Sequence, residues 1–262
     1  SAASDVYKRQ GQHTGSFYVA AFFRFVLVMI GVLSSSIVNL IFLPPKFETK
    51  IYYNSMNISS DIFVWFKLVL NDTSEFHNIK QDGDQLNSRI NKLEKIFDYY
   101  NEERPLTKKH IYQQNRKKIL FREVVRTTRQ AYEVLKRMSR YQNDLYQLNN
   151  QLLLQIKLEL DSLVTLHEQI FKSLSKKARY DVTQLDYEVD NPQKKNLMDA
   201  FQQELIKNPH QTQYSYSNMM QIIAEIEEYR YQLEHLDRIR LSFFTYHRSD
   251  TDIDISDEDF DL

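Results

Sequence analysis

Residues 17–43, FYVAAFFRFVLVMIGVLSSSIVNLIFL, form a 27-residue stretch in which Arg24 is the only charge. At ~1.5 Å per residue a helix of this length reaches ~40 Å, enough to cross a ~30 Å hydrocarbon core with some tilt. A signal-peptide core holds only ~7–15 apolar residues before a small-residue cleavage site. This run is about twice that length and ends in Pro44-Pro45, so the sequence predicts a membrane span within residues 16–45. Lys46 and Lys50 follow at once. Basic residues beside a span stay on the cytoplasmic side, which places the remaining ~200 residues in the cytoplasm.

Lipid tails give helices no hydrophobic reason to associate, so spans that meet do so through small and polar residues. Gly31, the Ser34-Ser35-Ser36 run and Asn39 supply such a face. The span therefore predicts helix partners: other spans of the intact protein and, with them, a homo-oligomer. Arg24, about seven residues in from the outer end, has two readings. It faces a protein interior or water-filled cavity, or it snorkels to the headgroups. The opening residues, SAASDVYKRQ, resemble a translated sequencing adapter, and residues 1–15 are expected to be foreign. On that reading the chain is the C-terminal part of a longer membrane protein, cut upstream of its last span.

The rest of the chain has almost no turn material. Four glycines and five prolines in 262 residues are about 3%, against a usual ~12%. Hairpins, bulges and phosphate-cradling loops need glycine where the backbone turns sharply or approaches a ligand. Sheets, dinucleotide folds and P-loops are excluded on that count. Cysteine is absent, which removes disulfides, thiolate metal sites and a cysteine nucleophile. The predicted fold is all-α: one N-terminal transmembrane helix followed by an antiparallel helical bundle over residues 46–247.

Apolar residues at the helical three-and-four spacing mark the elements. Residues 51–70 carry Ile58, Ile62, Phe66 and Val69. This segment is the first helix of the domain in preference to one lying on the membrane, because Lys67 is its only internal base and interfacial helices are richer in Lys and Arg. Residues 75–103 carry Leu86, Ile90, Leu93 and Phe97, with Gly83 as a weak point. Residues 107–148 step through Leu120, Val124, Ala131, Leu135, Met138 and Leu145, with Thr127 and Thr128 filling a gap. Asn149-Asn150 is the expected turn before a helix over 152–175. A short helix near 197–206 and a last one over 218–244 complete the set. Residues 248–262 hold seven acids in the stretch from 249 onward and no base; they are expected to stay disordered. Residues 1–248 then carry 34 bases against 28 acids.

Little of this points to chemistry. The seven histidines are scattered, with no HExxH or related metal spacing. No nucleophile elbow is possible with so few glycines. No enzyme activity, metal or cofactor is expected. Residues 108–140 are the one charged constellation, eleven Lys and Arg against Glu123 and Glu133. Arg122, Arg126, Arg129 and Lys136 fall near one face of that helix. Three roles compete for them: pairing with acidic neighbours such as the helix bearing Glu225 to Glu234, contact with anionic lipid headgroups at ~1 kcal/mol per base, or an anionic ligand. Nucleic acid is the least attractive partner, because no recognition module is visible.

The junction RFVLVMIGVLSSSIVNLIFLPPKFETKIYYN resembles that of bacterial aromatic acid exporter family proteins. SSDIFVWFKLVLND, RINKLEKIFDYYNEER, EVVRTTRQAYEVLKRMSRYQNDLYQL and IIAEIEEYRYQLEHL are similar to the C-terminal domain of that family. The likeness runs from about Phe17 to Phe244. It implies a multi-pass inner (plasma) membrane protein that exports small aromatic or related organic acids on an ion gradient. Its helical C-terminal domain would be cytoplasmic and serve assembly or regulation. On this resemblance Arg24 and Asn39 are the candidate substrate-contacting residues. The competing expectation is a single-pass, membrane-tethered helical scaffold or sensor without transport activity.

Overall fold

A computed structural model describes residues 18–36, 47–71, 76–103, 108–148, 150–174, 197–207 and 215–246. Among them there are eight helices and no strand. The chain divides into two units, residues 1–46 and 47–262.

The first unit contributes α1, Tyr18–Ser36, with 19 residues and a mean hydropathy of 2.0. At ~1.5 Å per residue it spans ~28 Å. Its large apolar side chains, among them Phe22, Phe23, Leu27, Val28, Ile30 and Leu33, are exposed around the whole circumference. The predicted continuation through Asn39 to Leu43 lies outside the described residues.

The second unit holds α2 (Phe47–Leu70), α3 (Phe76–Glu102), α4 (Lys108–Arg140), α5 (Gln142–Tyr146), α6 (Asn150–Leu174), α7 (Leu197–Lys207) and α8 (Tyr216–Tyr246). Helices α2, α4, α8 and α6 form a four-membered ring, α3 lies along α2 and α4, and α7 touches α6 and α8. Glu48 at the start of α2 meets Tyr100 near the end of α3 and Lys117 near the start of α4. Consecutive long helices therefore reverse direction. Arg137 and Glu225 pair across α4 and α8, so this central pair is antiparallel as well.

Each long helix presents one apolar stripe to the common core, the arrangement by which bundles bury a helix on one side only. On α2 the stripe is Ile51, Ile58, Ile62, Phe66 and Val69; on α3 it is Leu86, Ile90, Leu93, Phe97 and Tyr100. Helix α4 packs against α2, α3 and α8 and buries a wider band, from Leu120 and Phe121 to Met138. Thr127 and Thr128 are fully buried within it. Thr128 spares its hydroxyl the cost of burial by donating to the Val124 carbonyl four residues back.

The expected long helix over 107–148 breaks at Tyr141, where the backbone leaves helical geometry before the short α5. Two contacts hold α5 in place. Tyr146 donates its hydroxyl to the Val69 carbonyl at 2.6 Å. The Asp144 carboxylate accepts from the Ser215 backbone N–H and the Asn218 side-chain amide, both at 2.8 Å. That puts a negative charge at the N-terminus of α8, where the helix dipole favours it. At the other end of the bundle Lys118 donates to the carbonyls of Asn101 and Glu103, so a cation caps the C-terminus of α3.

Candidate functional site

Three of the four sequence-selected bases on α4 have distinct fates. Arg129 is turned onto α3, where it makes a two-pronged pair with Glu94 at 2.9 and 2.7 Å and also donates to Asn87 and Asn91. The hydrogen bonds to Glu94 hold its guanidinium above its ordinary pKa. Lys136 pairs with Glu133 of its own helix. Arg122 is exposed and has no partner among the described residues, and the fourth base, Arg126, shares that state. The acidic-neighbour reading therefore holds for Arg129, although the acid comes from α3. The α8 carboxylates are taken by another base, since Glu225 binds Arg137 and also accepts from Gln130. Arg24 is exposed on α1, and Asn39 lies outside the described residues. The four α4 bases do not converge on one site.

Side chains do converge elsewhere in the bundle. Between α2 and α6 lies a cavity of about 320 Å³. Helix α2 lines it with Met56, Asn57, Ser59, Ser60 and Phe63; α6 supplies His167, Glu168, Phe171 and Lys172. Residues 56, 59, 60 and 63 share one face of α2, as do 167, 168, 171 and 172 on α6, by the three-and-four spacing. His167 occupies a core position of the α6 stripe, between Leu163 and Ile170, and is 1% exposed. Its ring lies 4.4 Å from Phe171 and 5.1 Å from Phe63, the latter edge to face. Burial holds its pKa down, to about 3, so the imidazole is neutral.

The proton of that neutral ring can be placed. His167 Nδ1 sits 2.7 Å from the hydroxyl of Tyr229, which α8 brings to the same core layer. Tyr229 is fully buried, and desolvation pushes its pKa well above the ordinary value. A buried phenol keeps its proton, which it can donate to that nitrogen. Nδ1 then accepts and Nε2 carries the hydrogen. Among the described residues Nε2 is buried without a hydrogen-bond partner, and so is the hydroxyl of Ser59 on α2. At the rim the Lys172 ammonium lies 3.8 Å from the Glu168 carboxylate. Among the described residues no three histidines or carboxylates converge as metal ligands would. Sequence reasoning passed over this group, yet a signal was present: Ser55, Ser59 and His167 stand at stripe positions where apolar side chains belong.

No family model matches the chain, and no solved structure matches it. Among curated proteins, UPF0421 protein YgaE of Bacillus subtilis (strain 168) is 35% identical over 240 residues. The alignment takes in 91% of this chain and 66% of the length of that relative.

Proposed function

We propose that this chain, a homologue of a UPF0421 protein, is part of an integral membrane exporter of small aromatic or related organic acids. In this reading α1 is one span of the pathway, and the bundle of α2 to α8 is a cytoplasmic domain for assembly or regulation. The supporting observation is α1 itself. A helix apolar on every side needs an apolar solvent on every side, and at ~28 Å its length suits the ~30 Å core of a bilayer. The bundle is built to the opposite rule, with most of its charged residues outside and one apolar core inside. The exporter resemblance at the span–domain junction supplies the cargo class and the inner-membrane setting; Lys46 and Lys50 supply the orientation.

Arg24 is the assigned cation of the pathway wall. An Arg within hydrocarbon is expensive to keep, so it is retained where it meets an anion or water. The test is efflux of an aromatic carboxylate from cells that carry the intact protein. Arg24→Gln should cut efflux about tenfold while the protein still reaches the membrane. Undiminished efflux removes the role of Arg24. Absence of any efflux from the wild type leaves a membrane-tethered scaffold as the function.

A further inference from the structure

Several bases on α4 are engaged: Lys117, Lys118, Arg129, Lys136 and Arg137 each meet a carboxylate or a backbone carbonyl. Arg122 and Arg126 do not. Both are exposed without a partner among the described residues. The acids nearest them in sequence are occupied elsewhere, since Glu123 is buried beside His235 and Glu133 faces Lys136. Toward the start of the helix the same face turns apolar. Steps of four, four, three and four carry one exposed row through Ile111, Asn115, Ile119, Arg122 and Arg126, and Tyr112 flanks it. Ile111, Tyr112 and Ile119 are 41%, 63% and 47% exposed, because the core-facing stripe of α4 lies on the other side of the helix. Core packing therefore explains none of the three. Aliphatic tips and a phenol running into unpaired guanidinium groups are what a helix lying in a headgroup layer presents to it.

We infer that this outer face of α4 docks on the anionic surface of the membrane. Ile111, Tyr112 and Ile119 enter the headgroup layer, and Arg122 and Arg126 meet lipid phosphates. The inference rests on the reading of residues 16–45 as a span. On that reading the chain leaves the bilayer at residue 45, two residues before α2 begins. Glu48, in the first turn of α2, is tied to Lys117 of α4 at 3.2 Å, and Lys117 stands midway in sequence between Tyr112 and Arg122. The covalent tether thus keeps this stretch of α4 close to lipid, and a short tether turns weak surface attraction into a high local concentration. An acidic protein partner has no such tether.

The chain has no cysteine, so Asn115→Cys in the intact protein takes a single nitroxide in the middle of the row. Electron paramagnetic resonance in lipid nanodiscs then reads its accessibility to oxygen and to a water-soluble nickel chelate. In discs rich in phosphatidylglycerol the label should move from aqueous to headgroup surroundings. In phosphatidylcholine discs, or at high salt, it should stay aqueous. Arg122→Gln with Arg126→Gln should lower the ratio of docked to free label about 25-fold, about fivefold for each base. Ile119→Asp should release the label as well. A label on Gln151→Cys, exposed on α6, should remain aqueous throughout, and thermal scans check that each variant is folded. A label at 115 that stays aqueous in every disc, or that docks regardless of lipid charge, overturns the inference. So does dipolar broadening between labels, which assigns the face to a second copy. A chain that fails to enter the discs is a separate result, which overturns the span and this inference with it.

Discussion

Lowering the pH from 7.5 to 5.0 should weaken the bundle through His167. In the unfolded chain this histidine titrates near 6.5; in the fold, burial moves it to about 3. Between those values the unfolded chain binds a proton that the folded chain refuses, so stability rises with pH across that window. The contribution is complete above 6.5 and is lost as pH falls toward 3. At ~1.4 kcal/mol per unit, the loss is close to nothing at pH 7.5 and about 2 kcal/mol at pH 5.0. For a domain of 150–250 residues that corresponds to a fall of roughly 4–8 °C in Tm. The control is the double variant His167→Phe, Tyr229→Phe, which removes the titrating ring and the phenol that would otherwise lose its acceptor. Far-ultraviolet circular dichroism melts of both proteins at the two pH values give the answer. The wild type should lose several degrees more than the double variant, which lacks the buried ring. Equal losses would show that His167 is not buried neutral, and the proton placement that defines the cavity wall would go with it.

Other perturbations read other parts of the structure. Gly83 sits inside α3 with nothing within 4 Å of where a Cβ would stand; Gly83→Ala should stabilise the bundle by ~0.5–1 kcal/mol in urea unfolding, the helix-propensity gain. Arg230 bridges α8 to Glu159 of α6 at 2.6 Å, with the Glu159 side chain only 10% exposed. Arg230→Leu should cost about 2–3 kcal/mol by taking the guanidinium away from that carboxylate, and adding Glu159→Leu should restore most of it. Arg122→Gln with Arg126→Gln should shift stability by less than ~0.5 kcal/mol, because both side chains are exposed and unpaired among the described residues. If that face meets a membrane, vesicles rich in anionic lipid should lose ~1 kcal/mol of binding per charge removed. Val28→Asp in the middle of α1 should raise the insertion cost by ~3 kcal/mol, read as loss of the intact protein from the membrane fraction.

Much of this molecule follows from local rules acting on the sequence. Scarce glycine and proline leave helices as the one regular structure available. The stepping of Ile58, Ile62, Phe66 and Val69, or of Leu86, Ile90, Leu93 and Phe97, fixes which face of each helix turns inward, because a 3.6-residue period depends only on neighbours along the chain. The 19-residue apolar α1 and the helix limits near residues 70, 103 and 174 were legible for the same reason. Pairing between helices is decided by which faces meet, and that is not a local property. Arg129 found Glu94 on α3, while Glu225 took Arg137. The break at Tyr141 also escaped the sequence pattern, since the chain turns there to bring Tyr146 under Val69 and Asp144 to the head of α8. The site was hidden for the same reason. Ser59, His167 and Tyr229 are 108 and 62 residues apart, stepwise along the chain, and none carries a motif. Only the packing of α2, α6 and α8 strips them of water, and it is the loss of water that makes a serine hydroxyl and an imidazole N–H into groups that need a partner.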